Sequence, residues 1–200
     1  MLKVSQATIP LAAQILCRGF VDDPMLSFIF LETENKLDAL AAFFQVFLAD
    51  TVRRGEVLIA PDEKGAIAWY PSDVKVFDDR FEEVMAELAE VAITFGGLAA
   101  AERLEQIGKQ GEKFEPKQVH CEVLWIALIP EARGKGIGRD LLSPVVNYAD
   151  EQQVGCYLVS STPRNISFYQ RQGFRQISSI PTDSTLTLTR MWRDAVQVSK

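Results

Sequence analysis

Apolar and polar positions along the 200 residues change period repeatedly, and each change predicts a new element. Leu2 to Ala7 alternate as a first strand, and Thr8 then caps a helix that tolerates Pro10 in its first turn and turns Leu11, Ile15 and Leu16 inward. That helix ends near Gly19-Phe20, and Asp22-Asp23-Pro24 reads as a break. Leu37, Leu40, Phe44, Phe47 and Leu48 keep helical spacing as far as Arg53-Arg54-Gly55, where basic residues and a glycine suit a C-terminus. Residues 57–60 and 66–70 follow as two short strands, and the Pro-Asp-Glu-Lys-Gly between them makes the pair an antiparallel hairpin.

Residues 74–118 hold a long amphipathic stretch. Asp78-Asp79 start it, Phe81, Val84, Met85, Leu88, Ala92 and Phe95 recur on one face, and Gly96-Gly97 predict a kink before the pattern resumes. Residues 120–128 are apolar, β-branched and aromatic apart from His120 and Glu122, and Pro130 stops the run: a buried strand. A helix over 138–152, a strand over 156–160 and a short helix over 165–172 come next. Residues 174–180 and 185–192 then alternate as a closing hairpin around Pro181-Thr182-Asp183. No internal repeat or linker divides the chain, so the pattern predicts one domain over 1–200.

Composition narrows the class. Hydrophobic content of 48% with 24% charged residues suits a globular core, and the net charge of −6 opposes binding to nucleic acid or an anionic membrane. The N-terminus lacks an apolar leader and the apolar run 91–101 is too short for a bilayer, so no membrane partner and a cytoplasmic location are expected. Cys17, Cys121 and Cys156 stand singly among apolar residues without metal-ligand spacing, so they are expected to be reduced core residues, with no metal.

The chemistry concentrates after the strand over 120–128. Gly134, Gly136 and Gly138, interleaved with Arg133, Lys135, Ile137 and Arg139, lead straight into a helix. Free N–H groups, the helix dipole and local positive charge meet there, which makes a site for a phosphate ester. A Walker loop would need Ser or Thr after Gly134-Lys135, and the dinucleotide fingerprint would need a glycine where Arg139 stands, so both fail. What remains, Arg133-x-x-Gly136-x-Gly138, resembles the (Gln/Arg)-x-x-Gly-x-(Gly/Ala) signature of the GNAT acyltransferase superfamily. Residues 156–175, ending in Phe168-Tyr169-x-x-x-Gly173-Phe174, resemble the second half of that core, in wording close to the puromycin N-acetyltransferase-like subgroup.

The resemblance implies a single α/β (α+β) domain: a mixed, mostly antiparallel sheet of about seven strands, helices on both faces, parallel splayed fourth and fifth strands, and a helical insertion at about 74–118. It implies acetyl-CoA as cosubstrate, its pyrophosphate on residues 133–139 and its pantetheine arm along backbone groups of Ile126, Ala127 and Leu128. Asn165 matches a residue that hydrogen-bonds that arm, although its type and place also suit an N-cap. Tyr169 matches the tyrosine that protonates the departing thiolate, or else packs the short helix. Trp69 either lines the donor pocket or fills the core.

For the base, the fifth-strand glutamate of many relatives is Val159 here. Glu122 and His120, which share one face of a regular strand, remain as candidates. Phe-x-x-Asp-Pro at 20–24 is similar to the opening that covers the acceptor pocket, or is a plain acidic turn. The expected reaction is direct acetyl transfer in a ternary complex to the primary amine of a small molecule, by a monomer or homodimer. A CoA-binding sensor without turnover and a protein N-acetyltransferase are the alternatives. Residues 71–118 carry eleven acids against six bases; if some of these, with Asp22 and Asp23, face the entrance, polyamines or aminosugars are favoured over acidic acceptors.

Overall fold

A computed structural model describes residues 1–182 and 186–197. The elements in chain order are β1 (Leu2–Lys3), α1 (Ile9–Phe20), α2 (Pro24–Ile29), α3 (Lys36–Arg54), β2 (Glu56–Ile59), β3 (Gly65–Tyr70), α4 (Asp79–Lys113), β4 (His120–Leu128), α5 (Ile137–Gln152), β5 (Gly155–Ser160), α6 (Pro163–Arg171), β6 (Arg175–Ile180) and β7 (Leu188–Arg193). The strands form one sheet in the order β1-β2-β3-β4-β5-β7-β6. Only β4 and β5 are parallel; every other neighbouring pair is antiparallel. This is the expected mixed sheet. The turn expected at 181–183 and the strand start expected at 185 fall partly on residues 183–185, outside the described residues.

Two cores follow from the two faces. Side chains of α1, α2, α3 and α4 pack with Trp125 and Ala127 on one face, and α5 with Tyr169 of α6 packs on Cys121, Val123 and Leu158 on the other. The three cysteines are buried and unbridged.

The Asp22-Asp23-Pro24 break is the start of α2. Asp23 caps it, its Oδ1 accepting from the amides of Met25 at 2.9 Å and Leu26 at 3.1 Å, with Pro24 preset at the first helical position. The short helix α6 likewise begins two residues before Asn165: Thr162 stands at its N-cap position and Pro163 follows. Asn165 is therefore no cap. Gly173, at φ +88°, ends α6 in the left-handed conformation that the Phe-Tyr-x-x-x-Gly-Phe wording requires.

The stretch 79–113 is helical over 35 residues but broken by the expected kink, where Gly97 (φ 70°, ψ −173°) leaves helical geometry and divides α4 into two segments. Taken end to end across the kink, the stretch is long and apolar enough by length and composition to cross a bilayer, which the run 91–101 alone is not. Here Val84, Leu88, Ala92, Ala100 and Leu104 are buried against the domain, while Ile93 and Leu98 are exposed.

Asp50 ties α3 to this helix. Its buried carboxylate accepts from Arg54 at 2.8 Å, from Arg80 at 3.2 Å and from the Tyr70 hydroxyl, and these partners hold its pKa below the usual carboxylate value. Asp50→Ala strands two partly buried guanidinium groups, so we expect a loss of about 3 kcal/mol and a melting temperature lower by about 6–12 °C. Because the carboxyl pKa is depressed, the contribution is present above the ordinary value and is lost as pH falls through the folded one. Thermal unfolding of both proteins at neutral and acidic pH measures this; a difference that persists undiminished in acid would contradict it.

Candidate active site

The centre of the site is an irregularity in β4. Trp125 pairs with Ala68 and Val123 with Trp69, so Leu124 is an extra residue opposite β3. The bulge changes which side chains share a face. Before it, Cys121 and Val123 join the α5 core; after it, Trp125 and Ala127 join the opposite one. His120, Glu122, Leu124 and Trp125 thus look toward α3 and α4. Trp69, paired with Val123, falls on the far side, where it is buried against Tyr148 at 5.1 Å. Its role is core packing, and Tyr70 stands on the pocket side instead.

β4 and β5 pair from His120↔Gly155 to Val123↔Leu158 and no further, although β4 continues to Leu128. Residues 124–128, including Ile126, Ala127 and Leu128, therefore have no strand on the β5 side. The strands open around a cavity of about 120 Å³. Phe20, Asp23 and Met25 line it from the α1–α2 corner, residues 122–126 from β4, and Asn165 and Tyr169, one turn apart on α6, from below.

Beyond the open edge lies the glycine loop. Gly134 (φ 79°) and Gly136 (φ 85°) are left-handed, and a Cβ on either would meet no protein atom within 4 Å. Among the described residues, no protein acceptor takes the amides of Gly134 to Gly138; the first turn closes only with Arg139 and Asp140 donating to the Gly136 carbonyl. Gly138 is close to Phe168 of α6: a Cβ added there would lie 3.4 Å from that ring. Arg133, Lys135 and Arg139 are exposed. An open concave loop of unpaired N–H groups with three cations suits a pyrophosphate, and the unpaired edge of β4 suits an extended amide-bearing arm. These residues fit coenzyme A.

Three ionisable side chains line the cavity between the strands: Asp23, Glu122 and Tyr169. Tyr169 is buried, and burial, with the nearby Asp23 charge second, pushes its pKa above that of an ordinary phenol. Glu122 is pushed up to about 7, chiefly by burial, with His120 opposing and the Glu115 charge adding to the rise. His120 stands behind Glu122 and does not line the cavity. Its Nε2 is 3.1 Å from Glu115 and 3.9 Å from Glu122, and its Nδ1 is 2.7 Å from the Gln118 carbonyl. Burial opposes its charge, but these partners prevail and raise it to about 10. His120 is thus a cation at neutral pH and has no lone pair to offer. One oxygen of Glu122, Oε2, has no hydrogen-bond partner.

Sequence reasoning missed Glu115, which touches the site only because the chain returns from α4, and passed over Asp50 and Tyr70 as ordinary helix and strand residues. Asp23 was noticed for its charge; in the fold it is buried, caps α2, and accepts a hydrogen bond from Ser161 across the cavity. Of the acids of residues 71–118, all but Glu115 are exposed, and none lines either cavity.

Residues 86–176 match the family model described as an acetyltransferase (GNAT) domain. That match spans a little under half of the chain. Solved structures repeat its fold end to end. A histone acetyltransferase and related acetyltransferase from Corynebacterium glutamicum aligns over 100% of this chain and 97% of its own, with 23% identity and a TM-score of 0.69. An agmatine N-acetyltransferase aligns over 96% of each chain at 16% identity and TM-score 0.66. A polyamine N-acetyltransferase of Drosophila melanogaster aligns over 96% of this chain and 97% of its own at 15% identity and TM-score 0.65. In this shared fold the bulged β4, the parting of β4 from β5 and the glycine loop lie along one continuous path.

Proposed function

We propose that this acetyltransferase moves an acetyl group from acetyl-CoA directly to the primary amine of a small molecule, within a ternary complex. The observation that carries this reading is that the Glu122 carboxylate, which faces His120 without a hydrogen bond to its Oε2, and the Tyr169 side chain line one cavity, at the open edge that leads to the glycine loop. Residues 133–139 hold the pyrophosphate, the edge at Ile126 to Leu128 and Asn165 hold the arm, and the acetyl group lies between β4 and β5. The Glu122 carboxylate takes the amine's proton, directly or through one water, as the nitrogen–carbon bond forms. Tyr169 Oη gives its proton to the sulfur as the carbon–sulfur bond breaks, and solvent restores both groups. His120 and Glu115 hold and tune Glu122 without touching substrate. The puromycin-type wording of residues 156–175 belongs to the same proposal.

A CoA-binding sensor would have no use for this pair of proton-transfer groups, and the small cavity favours a small acceptor over a protein chain. Thiol release from acetyl-CoA, followed together with mass-spectrometric detection of the acetylated amine, tests the reading. Amine-dependent release supports it; tight acetyl-CoA binding without release for every amine would return the chain to the sensor class.

The donor loop gives its own prediction. In Gly136→Val a β-branched side chain must adopt φ near 85° and fill the open space in the loop. We expect the acetyl-CoA dissociation constant to rise about tenfold or more, while acetyl-pantetheine, which lacks the phosphates, binds weakly and equally to both proteins. Calorimetry showing equal affinity of the wild type for the two donors would sink the loop assignment.

A further inference from the structure

A second cavity, of about 140 Å³, lies between α3, α4 and the sheet. It meets the β4–β5 opening at Met25, Glu122, Leu124 and Trp125, which line both spaces. Most of its wall is ring or aliphatic: Phe43 and Phe47 from α3, Phe77 just before α4, and Phe81, Met85 and Leu104 from α4. Four polar residues complete it, Asp50, Arg54, Tyr70 and Glu122. Each negative charge among them is already answered. Asp50 holds Arg54, Arg80 and the Tyr70 hydroxyl, and Glu122 faces the His120 cation.

A guanidinium or second ammonium in this space would give up its hydration and find no free carboxylate. An apolar ring gains by leaving water. Size sets the scale, since a dry apolar cavity of about 150 Å³ accepts a benzene molecule.

Resting on the acetyl-transfer reading above, we propose that the acceptor is a primary amine joined by a short arm to a single aromatic or similarly sized apolar ring. The ring sits under α4 and the amine reaches the opening beside Glu122. The agmatine and polyamine acetyltransferases share the fold with this chain at 15–16% identity, which leaves acceptor choice to the residues of this cavity.

Gly108 offers a way to test the space without burying a polar group. It lines the cavity within α4, and a Cβ there would press on the flexible tip of Met85 at 2.9 Å. Leucine at this position also improves helix propensity. Thiol release is measured with 2-phenylethylamine, ethylamine, agmatine and putrescine. The wild type should prefer 2-phenylethylamine, and in Gly108→Leu the ratio of kcat/KM for 2-phenylethylamine over ethylamine should fall about tenfold or more. Met85→Ala, which enlarges the space, should shift preference toward 2-(1-naphthyl)ethylamine and supplies the test if Gly108→Leu does not fold.

Preference for agmatine or putrescine, or ratios unmoved in the folded variants, would overturn the inference and leave acetyl transfer standing. If no amine releases thiol, the transfer reading falls, and calorimetry still decides the cavity. Binding of 2-phenylethylamine that weakens in Gly108→Leu supports the ring site, and no binding overturns it.

Discussion

Tyr169→Phe is expected to lower kcat by about 10²-fold or more while leaving the acetyl-CoA dissociation constant within about twofold of the wild type. The change removes one hydroxyl and keeps the ring, so the packing of Tyr169 against Phe168 at 5.1 Å and Phe174 at 5.9 Å survives. Burial and the Asp23 charge raise the phenol's pKa, so it is protonated at neutral and mildly alkaline pH, at the expense of acid strength. The donor role therefore predicts no alkaline fall in rate arising from Tyr169. Rapid-mixing measurements that isolate the chemical step decide the matter. An unchanged chemical rate in the phenylalanine variant would reduce Tyr169 to a packing residue.

What the sequence made legible was local. The strand over 120–128, the glycine loop and the Phe-Tyr-x-x-x-Gly-Phe segment each declare themselves within a few residues, because a buried strand, a left-handed loop and a helix stop each demand particular side chains at short range. The missed features depend on contacts distant in sequence or on a break of period. Asp23-Pro24 carried a helix-start signal, an N-cap followed by proline, but the helix is only six residues long and was read through as a break.

The side taken by Trp69 depends on the extra residue at Leu124, which no alternation in the hairpin reveals. The cluster of Asp50, Tyr70 and Arg80 joins three elements by tertiary packing, and the cavity under α4 exists only once that helix is laid across α3. Charge counting reads a different layer: an amphipathic helix places its acids on its solvent face, so the balance of residues 71–118 describes the outside of the domain rather than the cavity walls. Conversely, Glu122 and His120 were paired correctly by period, since the bulge comes after them. Their unequal roles required Glu115.

The pH dependence of transfer should carry the signature of Glu122. As a base it works in its ionised form, so kcat/KM should rise with pH through about 7, where burial has moved this carboxyl. An acceptor whose own ammonium pKa lies well below that value keeps the amine's titration out of the profile. Glu122→Gln should abolish the acid limb and lower the plateau by about 10²-fold.

Two neighbours supply opposed shifts. The His120 cation favours ionised Glu122, and with its pKa at about 10 the charge is present throughout the acid limb, so His120→Gln should move the limb to higher pH. The Glu115 charge raises Glu122 and also draws His120 to itself at 3.1 Å. Glu115→Gln should therefore move the limb to lower pH, with a plateau close to wild type. Loss of fold lowers rates at every pH and moves no midpoint, and a purely structural pair has no reason to shift it in opposite directions. Shifts of the same sign in both variants, or a midpoint that neither moves, would remove Glu122 from the base role.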